Sequence, residues 1–114
     1  MKLNTNTPWL PSLDWKVISH ESLGEVKMKN LKVELAGNLE GRNIGEYFKD
    51  KKNLLNSSIL RWYLDNPKEI PEEWKGKRVY FGGTTLENPS GYRFVLCLCW
   101  GGGQWGWSCS WLGG

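Results

Sequence analysis

The sequence predicts a single small α+β domain, an antiparallel sheet with a C-terminal three-stranded meander packed by one or two short helices. Three observations carry that expectation. Residues 78–85, 92–100 and 105–112 are successive apolar, strand-like segments. Their connections, Glu87-Asn88-Pro89-Ser90-Gly91 and Gly101-Gly102-Gly103-Gln104, are short and rich in turn residues, so neighbouring strands must run antiparallel. Upstream, Ile59, Leu60, Tyr63 and Leu64 form one apolar stripe at helical spacing, which needs a surface to cover. A chain of 114 residues supports one core of just sufficient size, so residues 1–114 are read as one domain.

The elements follow in chain order. Residues 1–15, with Pro8 and Pro11 set among Asn, Thr and Ser, read as an irregular N-terminal arm that Trp9, Leu10, Leu13 and Trp15 tack to the body. Residues 16–19 suit a short strand. Leu31, Val33 and Leu35 alternate with polar residues at the period of a half-buried strand, which Ala36-Gly37-Asn38 ends. Residues 42–50 present Ile44, Tyr47 and Phe48 on one helical face. Asn56 or Ser57 is placed to cap a better helix that runs to about Asp65, where Asn66-Pro67 stops it. Pro71-Glu72-Glu73-Trp74 predicts a single helical turn with proline at its first position and acids at its positive end; Gly76 ends it. Trp74 is expected to plug that turn against the sheet edge.

Register decides how the C-terminal hairpin is read. With residues 101–104 as the loop, Trp100 faces Trp105, and pairing continues as Leu98 with Trp107, Leu96 with Cys109 and Phe94 with Trp111. Alternation puts all eight on one bulky face, and Val95, Cys97, Cys99, Gly106, Ser108 and Ser110 on a small, smooth one. Burying one indole removes about 150–250 Å² from water and contributes roughly 4–6 kcal/mol before entropy. Four exposed rings would forgo more than the net stability of a small domain, about 5–15 kcal/mol. The aromatic face is therefore expected to be mainly core, under the 59–64 helix. Its glycine-rich rim is the exception, because covering helices seldom reach a hairpin tip. Trp100, Gly102, Gln104, Trp105 and Trp107 are accordingly the candidate ligand contacts, rigid aromatic area among small adaptable neighbours. The function this suggests is a non-enzymatic binding module for a protein partner or a glycan-like polar ligand. The small-residue face offers a second reading, a homodimer.

Other chemistry is poorly supported. The formal charge is +3, and the clusters Lys49, Lys51, Lys52 and Lys75, Lys77, Arg78 lack interleaved aromatics, so they are read as solvated charges and no nucleic acid is expected. No apolar run is long enough to span a bilayer and no hydrophobic segment follows Met1, which implies a cytoplasmic protein with reduced thiols. Three cysteines make an odd number, against a disulfide framework. Cys97, Cys99, Cys109 and His20 lack zinc-ligand spacing, so neither metal nor cofactor is expected. The enzymatic alternative is a thiol-dependent activity through one of those cysteines, with His20 as the sole histidine available to it. No catalytic residue is assigned. Glu72 and Glu73 diverge as helix neighbours. Gly82-Gly83-Thr84-Thr85 lacks the lysine and helix of a phosphate loop and is better explained as a strand bulge.

The residues Asn56-Ser57-Ser58-Ile59-Leu60, Tyr63-Leu64, Asn66-Pro67 and the string Ile70-Pro71-Glu72-Glu73-Trp74-Lys75-Gly76-Lys77, followed by Val79-Tyr80-Phe81 and Gly83-Thr84, carry a resemblance. So do Ile18 to Gly24 upstream, and Leu98-Cys99-Trp100, Gly102-Gly103, Trp105 and Trp111-Leu112 downstream. The chain resembles, over residues 15–112, a family of small uncharacterised proteins from candidate-phyla-radiation bacteria, Parcubacteria-like lineages among them. The resemblance implies a cytoplasmic bacterial protein and carries no activity, cofactor or catalytic residue. Members of that family continue past the hairpin with another tryptophan segment. By that comparison this chain is expected to be short or cut at Leu112-Gly113-Gly114.

Overall fold

Alternating apolar residues and tight turns build the C-terminal meander, and the arm, the helix and the turns that follow it pack on one of its faces. The computed structural model describes residues 2–28 and 54–112. In order these form β1 (Lys2–Asn4), β2 (Lys16–His20), β3 (Glu25–Lys27), α1 (Ser57–Asp65), β4 (Val79–Glu87), β5 (Arg93–Gly101) and β6 (Gln104–Trp111). Single 3-10 turns, Pro67–Glu69 and Glu72–Trp74, lie between α1 and β4. The strand expected at 31–35 and the helix expected at 42–50 fall outside the described residues, as do Lys49, Lys51 and Lys52.

β4, β5 and β6 are successive antiparallel neighbours, and β2 adds to the free side of β4, giving the order β2-β4-β5-β6. The opening of the arm is not irregular: β1 pairs with β3 in a separate two-stranded sheet, with Leu3 opposite Val26. A three-residue strand holds too little of a period-two pattern to be read locally; its pairing is set by a partner more than twenty residues away. Beyond it, Trp9, Leu10 and Trp15 pack on the core, whereas Leu13 is 98% exposed and tacks nothing.

Asn56 caps α1, its side-chain oxygen accepting from Ser58 N–H and Ile59 N–H. The helix lays Ile59, Leu60 and Tyr63 on the face of the sheet carrying Val79, Phe81, Leu86, Leu96 and Leu98. Trp74 is buried beneath the helix, its ring 5.3 Å from that of Tyr63 in an edge contact. Pro71 precedes the Glu72–Trp74 turn as its cap rather than forming its first residue. On the sheet's other face Tyr80, Val95 and Cys97 make a second buried cluster against which Leu112 packs.

β4 is not straight. Phe81 pairs with Leu96 and Leu86 with Phe94, so residues 82–85 face a single residue of β5. This is the bulge expected at Gly82-Gly83-Thr84-Thr85. It turns Gly83 toward the segment leading into α1, where Gly83 N–H donates to the Leu55 carbonyl at 2.8 Å.

Candidate functional site

The hairpin adopts the predicted register over its whole length, Phe94 opposite Trp111 through Trp100 opposite Trp105. Its loop is tighter than expected. Gly101 pairs with Gln104, which leaves a two-residue turn of Gly102 (φ 61°) and Gly103 (φ 79°). Positive φ at both positions matches the strand twist and suits glycine, and the all-glycine run hides where the turn begins. Gln104 thus belongs to the strand and is exposed.

The bulky face divides between the two strands. Leu96 and Leu98 of β5 are fully buried and Trp105 is half-buried against the core, but Trp100, Trp107 and Trp111 are 36%, 41% and 51% exposed. The expectation of a mainly buried aromatic face therefore holds for Leu96 and Leu98, and in part for Trp105 and Cys109, and fails for Trp100, Trp107 and Trp111. A helix is about 10 Å across and covers roughly two strand spacings of about 4.8 Å. α1 makes its largest contact with β4 and touches β5 and β6 equally, so it cannot cover the whole hairpin.

The exposed indoles are braced. Trp100 meets Trp105 at 5.3 Å and 65°, and the Lys75 ammonium lies 4.0 Å from the Trp100 ring centroid. Lys75 also pairs with Glu72 at 2.9 Å, so it is a cap on an indole rather than the free loop charge expected. Trp107 meets Trp9 edge-on at 6.1 Å, and the Arg61 guanidinium lies 5.7 Å over Trp9. Trp111 meets Tyr92 at 6.2 Å. Beside that pair, Ile18, Ser19, Thr85, Tyr92, Arg93 and Trp111 line an open groove of about 620 Å³. Sequence reasoning placed Trp100, Trp105 and Trp107 on one face. It missed Trp9, Arg61, Lys75 and Tyr92, which reach the surface through contacts between distant segments. Trp111 had the alternation signal yet was counted as core.

His20 and the cysteines do different work. His20 Nε2 lies 2.8 Å from the Thr5 carbonyl, which can only accept, so Nε2 carries a proton. With the neutral ring, Nδ1 accepts from the Thr84 hydroxyl at 2.8 Å, and Thr84 Oγ1 in turn accepts from Ser57 N–H at 2.9 Å. Both ring nitrogens are thus spent on joining the arm, β4 and the start of α1. Among the described residues no group of three His, Cys, Asp or Glu is arranged to hold a metal ion, and no helix is long and apolar enough to cross a membrane.

Cys97 is fully buried, and burial first, then the neighbouring Cys99, pushes its thiol up to about 11. Burial raises Cys109 as well. An activated thiol needs the opposite shift. Because the folded value of Cys97 exceeds the ordinary value near 9, its contribution to stability is full below about pH 9 and is lost as pH rises toward 11. That loss is expected to be about 2–3 kcal/mol. Urea unfolding across that window measures it, and Cys97→Ala is expected to flatten the slope; an equally steep slope in the variant would assign the effect elsewhere.

No family model, curated protein or solved structure matches this chain. The chemistry of the surface is then what bears on its role: uncharged, aromatic, rigidly braced, and bordered by two paired cations.

Proposed function

We propose that the protein is a non-enzymatic binding module that recognises a protein partner or a polar ligand such as a glycan through the outer aromatic side of the β5–β6 hairpin. The observation that supports this is the exposure of Trp100, Trp107 and Trp111 along one hairpin, each held by a second aromatic ring. A preset indole loses little conformational freedom on binding and removes a large apolar area from water, which is why tryptophan dominates many recognition hot spots. Gly102 and Gln104 at the tip give the ligand access to backbone and amide groups. The same reading takes the protein to be bacterial and cytoplasmic, in keeping with the Ile70–Lys77 string. A thiol-dependent activity gains no support from the upward shift of Cys97.

Quenching of tryptophan emission tests the reading. Acrylamide and iodide are expected to reach a distinct accessible fraction that Trp107→Ala and Trp111→Ala together reduce, Trp100 supplying the remainder. Panels of glycans and of displayed peptides then supply ligands, and binding is expected to fall at least about tenfold in the same variant, the loss of one good anchor. Emission that resists both quenchers in the native protein, or a ligand bound equally by the variant, rules this surface out.

A further inference from the structure

We infer that the outer edge of β6 is the docking site for β6 of a second copy of this chain, in an antiparallel pairing centred on Ser108. This uses the strand edge rather than the aromatic face, so it goes beyond the recognition proposed above.

The hydrogen-bonding phase of β6 comes first. Leu112 N–H donates to the Arg93 carbonyl of β5, and pairing alternates without a bulge from there to the Gly101–Gln104 pair that closes the turn. In an antiparallel ladder only every second residue bonds to a given neighbour. The even-numbered residues Ser110, Ser108, Gly106 and Gln104 therefore bond inward to β5. Trp105, Trp107, Cys109 and Trp111 direct their N–H and C=O groups outward, and among the described residues β6 has no partner on that side.

The two edges of the sheet are treated differently. β2, at the far edge, is five residues long, begins with Lys16 and is kinked between Val17 and Ser19. Those are the usual devices that discourage strand addition. β6 has eight residues and contains no charge, no proline and no bulge.

Self-pairing is the occupancy that fits. A two-fold axis at Ser108 sets Trp107 opposite Cys109 of the second copy and Trp105 opposite its Trp111, all with outward-facing backbone groups. None of the four is left unpaired in either copy. Ser108 meets its own counterpart at a non-hydrogen-bonded position, where Cα atoms approach to about 4.5 Å and two serines fit without crowding. The register sets Trp105 against Trp111, Trp107 against Cys109 and Gly106 against Ser110, and because β6 is neutral no like charges meet across the axis. The four-stranded sheet is doubled and the two aromatic faces become one continuous strip.

Sedimentation of the full chain from micromolar to near-millimolar concentration is expected to show a mass rising toward twice that of the monomer. Trp111→Pro removes one outward N–H that Trp111→Ala keeps, so the proline variant is expected to dimerise at least about tenfold more weakly than the alanine variant. In the wild type, amide exchange at Trp105, Trp107, Cys109 and Trp111 is expected to slow as concentration rises, while Gly106, Ser108 and Ser110 stay protected throughout. A constant monomer mass overturns the inference, and so does a dimer that the two variants weaken alike or one that leaves the four outward amides unprotected. Quenching is read at the lowest concentrations, where the chain is monomeric, so the fate of the recognition surface is read separately.

Discussion

Gly83→Ala is expected to destabilise the fold by about 3 kcal/mol, a drop of roughly 10–15 °C in Tm. A Cβ at this position would lie 2.7 Å from the Leu54 carbonyl oxygen, 2.9 Å from that of Leu55 and 3.2 Å from Asn56 Cβ. The first two neighbours are backbone and cannot rotate aside. Relief requires the β4 bulge to move off residues 54–56, which breaks the 2.8 Å bond from Gly83 N–H to Leu55 and strains the 2.7 Å bond that Gly83 C=O accepts from Glu21 N–H. Overpacking of a tight site costs about 1–3 kcal/mol, and a lost buried hydrogen bond adds about 1 kcal/mol. Gly106→Ala is the control: its Cβ would meet nothing within 4 Å, and its stability is expected to stay within about 0.5 kcal/mol of wild type. Thermal melts followed by circular dichroism compare the two, and a Gly83→Ala variant as stable as Gly106→Ala would mean that the bulge does not sit this close to the helix start.

The same bulge shows what is legible from residue order and what is not. Local patterns carry far: alternation from Phe94 to Leu98 and from Trp105 to Trp111 suffices for the hairpin register, and Asn56 with the Ile59–Leu64 stripe suffices for α1. Gly82-Gly83-Thr84-Thr85 reads as an irregular strand because consecutive glycines weaken a ladder. The partner that bulge approaches is a different matter. Thr84 holds His20 from 64 residues away, and Trp9 N–H donates to Ser57 Oγ across 48. Such contacts have no period and leave no trace in a window of neighbouring residues. The candidate surface divides the same way. That Trp105, Trp107 and Trp111 share a side follows from the pleat; how many remain in water depends on how far one short helix reaches, which is a property of the assembled layers. Likewise Lys75 belongs by sequence to a basic turn and becomes a cap on Trp100 only when that turn is folded beside the hairpin tip.

Asn56→Asp is expected to be at least as damaging as Asn56→Ala, reversing the usual equivalence of Asn and Asp at a helix start. At an exposed cap both offer an oxygen to the first amides, and Asp gains about 0.3–1 kcal/mol from the helix dipole. Asn56 is fully buried and uses both ends of its side chain. Its oxygen accepts from Ser58 N–H at 3.1 Å and Ile59 N–H at 3.3 Å; its Nδ2 donates to the Glu21 carbonyl at 3.0 Å and the Thr5 carbonyl at 3.4 Å. Alanine loses the cap and leaves both sets of groups without these partners, a loss of about 2–4 kcal/mol. Aspartate keeps the cap but turns a second oxygen toward two carbonyl oxygens in a dry site, where a carboxylate is disfavoured by desolvation and by repulsion. Both effects raise the folded-state value of that carboxyl above its unfolded one, so the protonated acid is the form the fold prefers and the deficit grows as pH rises through neutrality. Relative to wild type, Asn56→Asp is thus expected to be worst at neutral pH and to recover in part under mild acid, where the acid proton can replace one amide donor. Alanine has no such group and its deficit should not track pH. Urea unfolding of both variants at two pH values distinguishes them; an aspartate variant matching wild type at neutral pH would show that only the oxygen of Asn56 matters and that the junction of arm, β4 and α1 holds without its amide donors.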